Sequence, residues 1–203
     1  MKKLIVVIVM TLPLLAASAE DTNTFHSVTA GFQIEKPEGW RFASLEQVSR
    51  NRATARLKDE ELQKLIREDA SAPLVAIVRH DEPYDSLNPS FQVILRPIPP
   101  SLQGSTPRQI LEVILPTLES GFQDFKLEAP IHEFELSGLA AAELTAQYTV
   151  SNPEGRAFPT RATMIVVPRG EFMFLMSASA PPEGPDASRE EFEALVGSIQ
   201  IAD

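Results

Sequence analysis

The stretch Leu139–Ser179 reads LAAAELTAQYTVSNPEGRAFPTRATMIVVPRGEFMFLMSAS, and its punctuation decides the fold. Three strand-length runs, Leu139–Val150, Phe158–Val167 and Phe172–Ser179, are separated by the short turn signals Asn152-Pro153-Glu154-Gly155 and Arg169-Gly170. Turns this short return the chain beside itself, so the three runs predict an antiparallel meander. The last run contains Phe172-Met173-Phe174-Leu175-Met176 and is apolar on both faces. Such a strand is central and needs cover on both sides: helices on one, and a further helix or a partner on the other.

Outward from this core, Phe125–Leu127 and Ile131–Leu136 predict two further strands before the Ser137-Gly138 turn. Ser90–Arg96 alternates, with Phe91, Val93 and Leu95 on one face, and Gly31–Lys36 does the same with Phe32 and Ile34. Leu74–Val78 is almost continuously apolar and reads as a central strand. Trp40, directly after the Pro37–Gly39 turn, is expected to anchor the core. Residues 20–30 show no clear periodicity.

Three helix starts are written locally. Thr106-Pro107-Arg108-Gln109 has Thr at N-cap, Pro at N1 and Gln at N3. Its expected buried stripe is Ile110, Val113, Ile114 and Leu118, with a kink or restart at Pro116. Ser44–Gln47 is a second capping box, opening a helical pattern that reaches about Asp69 and carries Leu62, Leu65 and Ile66. One helix or two fit that span. Ser188–Glu191 is the third, opening a short helix whose apolar face is Phe192, Leu195, Val196 and Ile199. The chain ends in Ser198-Ile199-Gln200-Ile201. The elements together predict an α/β (α+β) protein, an α/β/α sandwich with a central, mainly antiparallel sheet flanked by helices.

The N-terminus has its own pattern. Lys2 and Lys3 precede an uncharged apolar run from Leu4 to Ala16, and Ala17-Ser18-Ala19 follows. These are the charged, apolar and A-x-A parts of a secretory signal peptide, too short to span a bilayer. Cleavage between Ala19 and Glu20 is expected, leaving residues 20–203 as one domain in the periplasm or outside the cell. The chain has no cysteine, so neither disulfides nor a lipid-modified cysteine is expected. A soluble mature form without a stable membrane anchor follows as the expectation. With 28 acidic and 18 basic residues the net charge is −10, and loss of Lys2 and Lys3 takes it to −12. That balance argues against nucleic acid and anionic lipid, which both require clustered Lys and Arg.

No phosphate loop, dinucleotide fingerprint, nucleophile elbow or S-x-x-K pair occurs, and without a thiol cysteine chemistry is impossible. The three histidines are His26, His80 and His132. His132 and Glu133 lie in a strand pattern and point to opposite faces, so they do not share a ligand. The one loop constellation is His80-Asp81-Glu82 with Asp85. His80, Asp81 and Asp85 are the candidate metal set, weighed against a simply solvated loop. No catalytic residue and no cofactor are assigned.

Gly31-Phe32-x-Ile34-x-x-Pro37-x-Gly39-Trp40, Leu136-x-Gly138-x-x-Ala141, Phe172-x-Phe174 and Phe192-x-x-Leu195-x-x-Ser198-Ile199-x-Ile201 occur in this order. This pattern resembles the PsbP-like and DcrB-like superfamily over roughly residues 25–202. The resemblance implies the α/β/α sandwich and a binding or assembly role. Superfamily members include a photosystem extrinsic subunit, a factor binding the Ran GTPase, bacterial envelope proteins and chaperones of secreted effectors. It carries no catalytic motif onto these residues. The expected function is thus an exported, non-enzymatic protein that binds a protein partner in envelope assembly or maintenance. The alternative is a small-ligand or divalent-cation binder, or a hydrolase, using the His80–Asp85 loop.

Overall fold

The computed structural model of this chain describes residues 23–44, 46–49, 58 and 72–202. The leader, its Ala19–Glu20 junction and most of the helical pattern predicted up to Asp69 lie outside the described residues. Within them the order is β1 (Thr24–Ser27), β2 (Phe32–Glu35), β3 (Arg41–Phe42), β4 (Val75–Val78) and β5 (Ser90–Pro97). A 3-10 turn at Pro100–Leu102, α1 (Pro107–Gly121), β6 (Gln123–Leu127), β7 (His132–Leu136) and β8 (Leu139–Ser151) follow. The chain continues through β9 (Ala157–Arg169), β10 (Phe172–Ala180), α2 (Arg189–Gly197) and β11 (Gln200–Ile201). Residues 46–49 are also helical.

The predicted meander is present. β8 pairs antiparallel with β9 from Ala142↔Val166 to Ser151↔Ala157, and β9 with β10 from Phe172↔Arg169 to Ala180↔Arg161. The main sheet runs β3-β4-β5-β10-β9-β8-β6, and β7 also pairs with β8. β8 is long enough to serve both: β7 lies opposite residues 139–143, and β6 opposite 146–149. Ser137 and Gly138 join β7 to β8 with φ of 54° and 80°. Two successive positive φ values are what a two-residue hairpin of this twist requires, and Gly138 supplies the second without a Cβ clash.

Both faces of the sheet are covered, as the apolar β10 demands. One face packs with the small sheet β1-β2-β11 and α2, around Phe32, Ile77, Phe91, Phe174, Met176 and Leu195. The other packs under α1, around Ile110, Leu111, Leu144, Val166 and Met173. A helix therefore lies on each face of a central antiparallel sheet, the predicted sandwich. Trp40 is 3% exposed, and Phe192 of α2 meets it edge-on with ring centroids 5.6 Å apart.

Several local expectations shift. β4 is buried throughout, but it is not central: it lies between β5 and the two-residue edge strand β3. Its uniform burial comes from cover on both faces. In α1 the Thr106–Gln109 capping box is formed in both directions, and the helix continues through Pro116 to Gly121. Its buried side is Pro107, Ile110 and Leu111, with Ile114 and Leu118 half-buried, while Val113 is 57% exposed. The predicted stripe thus holds at Ile110, Ile114 and Leu118, while Leu111 takes the place expected of Val113. Strands β1 and β3 escaped the pattern, being short and only half-buried.

Candidate functional site

The loop between β4 and β5 does gather polar side chains, but with partners far away in sequence. His80 Nε2 donates to Asp186 Oδ1 at 2.9 Å, and the Tyr84 hydroxyl donates to Asp186 Oδ2 at 2.5 Å. The His80 and Tyr84 rings stack with centroids 4.2 Å apart. Asp186 sits in the loop between β10 and α2, so one carboxylate ties two loops together. Asn88 closes the first loop: its Oδ1 accepts from the His80 N–H, and its amide donates to His80 O and Glu82 Oε1.

Arg79, beside His80, secures the second loop. It donates to Pro185 O at 2.9 Å and Ser188 Oγ at 2.8 Å, and pairs with Glu191 Oε1 at 3.2 Å. This overturns the capping box expected at Ser188–Glu191. Ser188 is in the left-handed region at φ 51°, and its side chain makes no cap bond. Arg79 has taken both halves of the box, because a guanidinium with five donors can serve a hydroxyl and a carboxylate together.

Of the three candidate metal residues, the structure brings none onto a common point. His80 faces Asp186, Asp81 pairs with Arg41 at 3.0 Å, and Asp85 is exposed in the loop. Among the described residues no group of three His, Asp or Glu is arranged to hold a metal ion. His132 lies on the opposite face from Glu133: it approaches Glu143, while Glu133 accepts from Arg108 of α1. Sequence reading missed Tyr84 and Asp186. No spacing rule links residues about a hundred positions apart, and Asp186 lies in a Pro/Gly loop without periodicity.

The electrostatics follow the geometry. The Tyr84 hydroxyl bond, followed by His80 and Arg79, holds the Asp186 carboxyl below its usual range despite partial desolvation. Asp186 reciprocally raises the Tyr84 hydroxyl. A depressed carboxylate stabilises the fold above its ordinary pKa of about 3.9, and this contribution fades as pH falls through the lower folded value. Urea unfolding of the native protein and of Asp186→Asn should therefore differ at about pH 5, where the carboxylate is ionised. The gap should close below about pH 3.9. A gap unchanged at pH 2.5 would show that the carboxylate does not titrate as part of this cluster.

A second feature is a cavity of ≈ 280 Å³ on the α1 face of the main sheet, beside the C-terminal end of that helix. Phe122, Phe125 and Tyr148 form an aromatic wall, Phe122 and Tyr148 with centroids 4.2 Å apart. Tyr148 is half-buried, and burial pushes its hydroxyl up to about 12. Leu144 and Met164 continue the apolar lining, whereas Gln92, Arg96 and Ser177 line the β5–β10 side.

No family model and no curated protein matches the sequence. Solved structures do match in fold. The cyanobacterial PsbP (CyanoP) of Synechocystis sp. PCC 6803 superposes with a TM-score of 0.52 at 14% identity, over 94% of this chain and 99% of that one. LpqN of Mycobacterium tuberculosis, described as involved in cell envelope biogenesis, gives 0.50 at 16% identity, over 85% and 83%. A Bacteroides thetaiotaomicron structure gives 0.47 at 12% identity; the alignment covers 90% of this chain and spans only 49% of that one. The PsbP-like fold is thereby shared.

Proposed function

We propose that this chain is an exported, non-enzymatic protein of one domain after its leader, binding a protein partner in envelope assembly or maintenance. The observation that carries the reading is the Asp186 clamp. His80 and Tyr84 are both spent on Asp186, Ser188 and Glu191 on Arg79, and Asp81 on Arg41. The chemistry-bearing residues of the loop thus work as a fastener between two loops. The signal-peptide pattern supplies the address. The fold shared with LpqN, itself involved in cell envelope biogenesis, supports the setting by analogy. Among the described residues, no helix is long and apolar enough to cross a membrane.

The test has two parts. Expressed with its leader, the envelope form should begin at Glu20 by mass spectrometry; a full-length product retained in the cytoplasm would refute export. A photo-crosslinking residue is then placed at Val28, Val113 or Phe172, the exposed large apolar side chains among the described residues. One position should yield a discrete adduct with an envelope protein while the others do not. No adduct at any of the three in intact cells would count against partner binding.

A further inference from the structure

We propose that the open edge of β7 accepts a strand from the partner protein, and that this strand carries lysine or arginine at alternate positions. The inference rests on the partner-binding reading and deepens it, assigning the surface used and the chemistry of the partner.

The first argument is the set of backbone groups left open. β7 pairs with β8 alone, and Ser137 and Gly138 close the hairpin with positive φ at both positions. A two-residue turn of this kind makes its flanking residues, Leu136 and Leu139, a hydrogen-bonded pair. Such pairs alternate along an antiparallel ladder, so Phe134↔Ala141 and His132↔Glu143 are hydrogen-bonded too. Glu133 and Glu135 therefore turn their N–H and C=O groups away from β8. Among the described residues no other backbone group meets them there, and both residues are exposed. Lys58 meets α1 at its last residue, Gly121, whereas β7 lies by the first turn of that helix, where Arg108 donates to Ile131 O and Glu133 Oε2. The open edge is thus at the far end of α1 from the Lys58 contact. An added strand satisfies the open groups with main-chain bonds and leaves side chains to choose the partner.

The second argument is charge, and it selects the occupant. Glu133 and Glu135 alternate with Phe134, so both carboxylates stand on one face of the strand. Residues directly opposite in a ladder share a face. A two-fold pair of β7 edges runs antiparallel and joins residues whose backbone groups point outwards. Every such register that overlaps Glu133 and Glu135 sets glutamate against glutamate, and like charges directly opposite are destabilising. The net charge of −10 adds a general repulsion between copies. A strand with basic residues at alternate positions reverses both effects. One cation falls opposite Glu135, which has no ion-pair partner among the described residues. The other falls opposite Glu133, which accepts from Arg108 at 2.9 Å. The two glutamates thus hold copies apart and admit a basic strand.

The probe is a blocked pentapeptide of alternating valine and lysine, titrated into the isotope-labelled mature protein and followed by NMR. The amide signals of Glu133 and Glu135 should shift and gain protection from exchange. The same peptide with glutamate in place of lysine should bind about tenfold more weakly, and Glu135→Lys should weaken the lysine peptide by a similar factor. Glu135→Pro removes an outward N–H without touching the β8 ladder, so the thermal transition should persist while binding is lost. In intact cells a photo-crosslinking residue at Glu135 should capture the same envelope protein as the position that succeeds among Val28, Val113 and Phe172. An adduct at one of those positions with none at Glu135 would remove the edge and leave partner binding standing; no adduct anywhere would remove both. Amide shifts confined to another surface, equal affinity for the glutamate peptide, unchanged binding in folded Glu135→Pro, or a dimer of the native chain that Glu135→Pro abolishes would each overturn the proposal.

Discussion

Phe174→Ala will be among the most destabilising single substitutions in this protein, lowering the unfolding free energy by about 3–5 kcal/mol. Phe174 is 1% exposed, the third residue of β10. Its ring stacks on Phe32 of the small sheet with centroids 5.4 Å apart, and the Arg169 guanidinium lies 5.9 Å above it. Truncation removes the apolar contact that joins the two sheets and leaves a cavity between rigid strands, which cannot collapse to fill it. Against a typical total of about 5–15 kcal/mol, the loss is a large share. Phe172, two residues earlier on the same strand, is 46% exposed and provides the control. Phe172→Ala should change stability by no more than about 0.5 kcal/mol. Denaturant unfolding of both variants decides the matter: equal losses would mean that the small sheet does not depend on this contact.

Trp40→Ala should cost a similar amount, about 3–5 kcal/mol, for a different reason. Trp40 follows the Pro37–Gly39 turn and fills the space between β2 and α2, where Phe192 meets its ring at 70°. The edge-on arrangement places the positive ring edge against the negative face, worth about 0.5–1.5 kcal/mol beyond burial. A double-mutant cycle with Phe192→Ala should recover a coupling energy of that size. Glu193→Ala, on the exposed side of α2, should leave stability within about 0.5 kcal/mol. Strict additivity of Trp40→Ala and Phe192→Ala would show that the two rings do not support each other, and the packing of α2 would need another explanation.

The clamp and the cavity bear on these predictions differently. Asp186, Arg79 and their partners fix the entrance of α2, so they govern how firmly that helix is presented to Trp40. The cavity lies on the opposite face, under α1. Filling it by Ala162→Trp, a substitution in its lining, should therefore leave the Trp40–Phe192 coupling intact, since distant sites without shared partners add nearly independently.

What the sequence determined by itself is what short-range physics encodes. The β8–β10 meander was legible because period-two patterning and four-residue turns act between neighbours in the chain. The α1 start was legible because Thr106 and Gln109 satisfy each other's backbone across three residues. The need for cover on both faces of β10 could be read from Phe172–Met176 alone. Only tertiary structure decided the rest. Ser188–Glu191 has the same local signature as Thr106–Gln109, yet Arg79, more than a hundred residues away, outcompetes the cap. β11 exists because Ile201 is brought against Phe32, and two residues carry no pattern of their own. His80 shares a carboxylate with Tyr84 because loop packing delivers Asp186 to both, while Asp81, adjacent in sequence, turns to Arg41. Local propensity is written every few residues; a pairing between distant loops is set by which surfaces the sheet and helices bring together when the core closes.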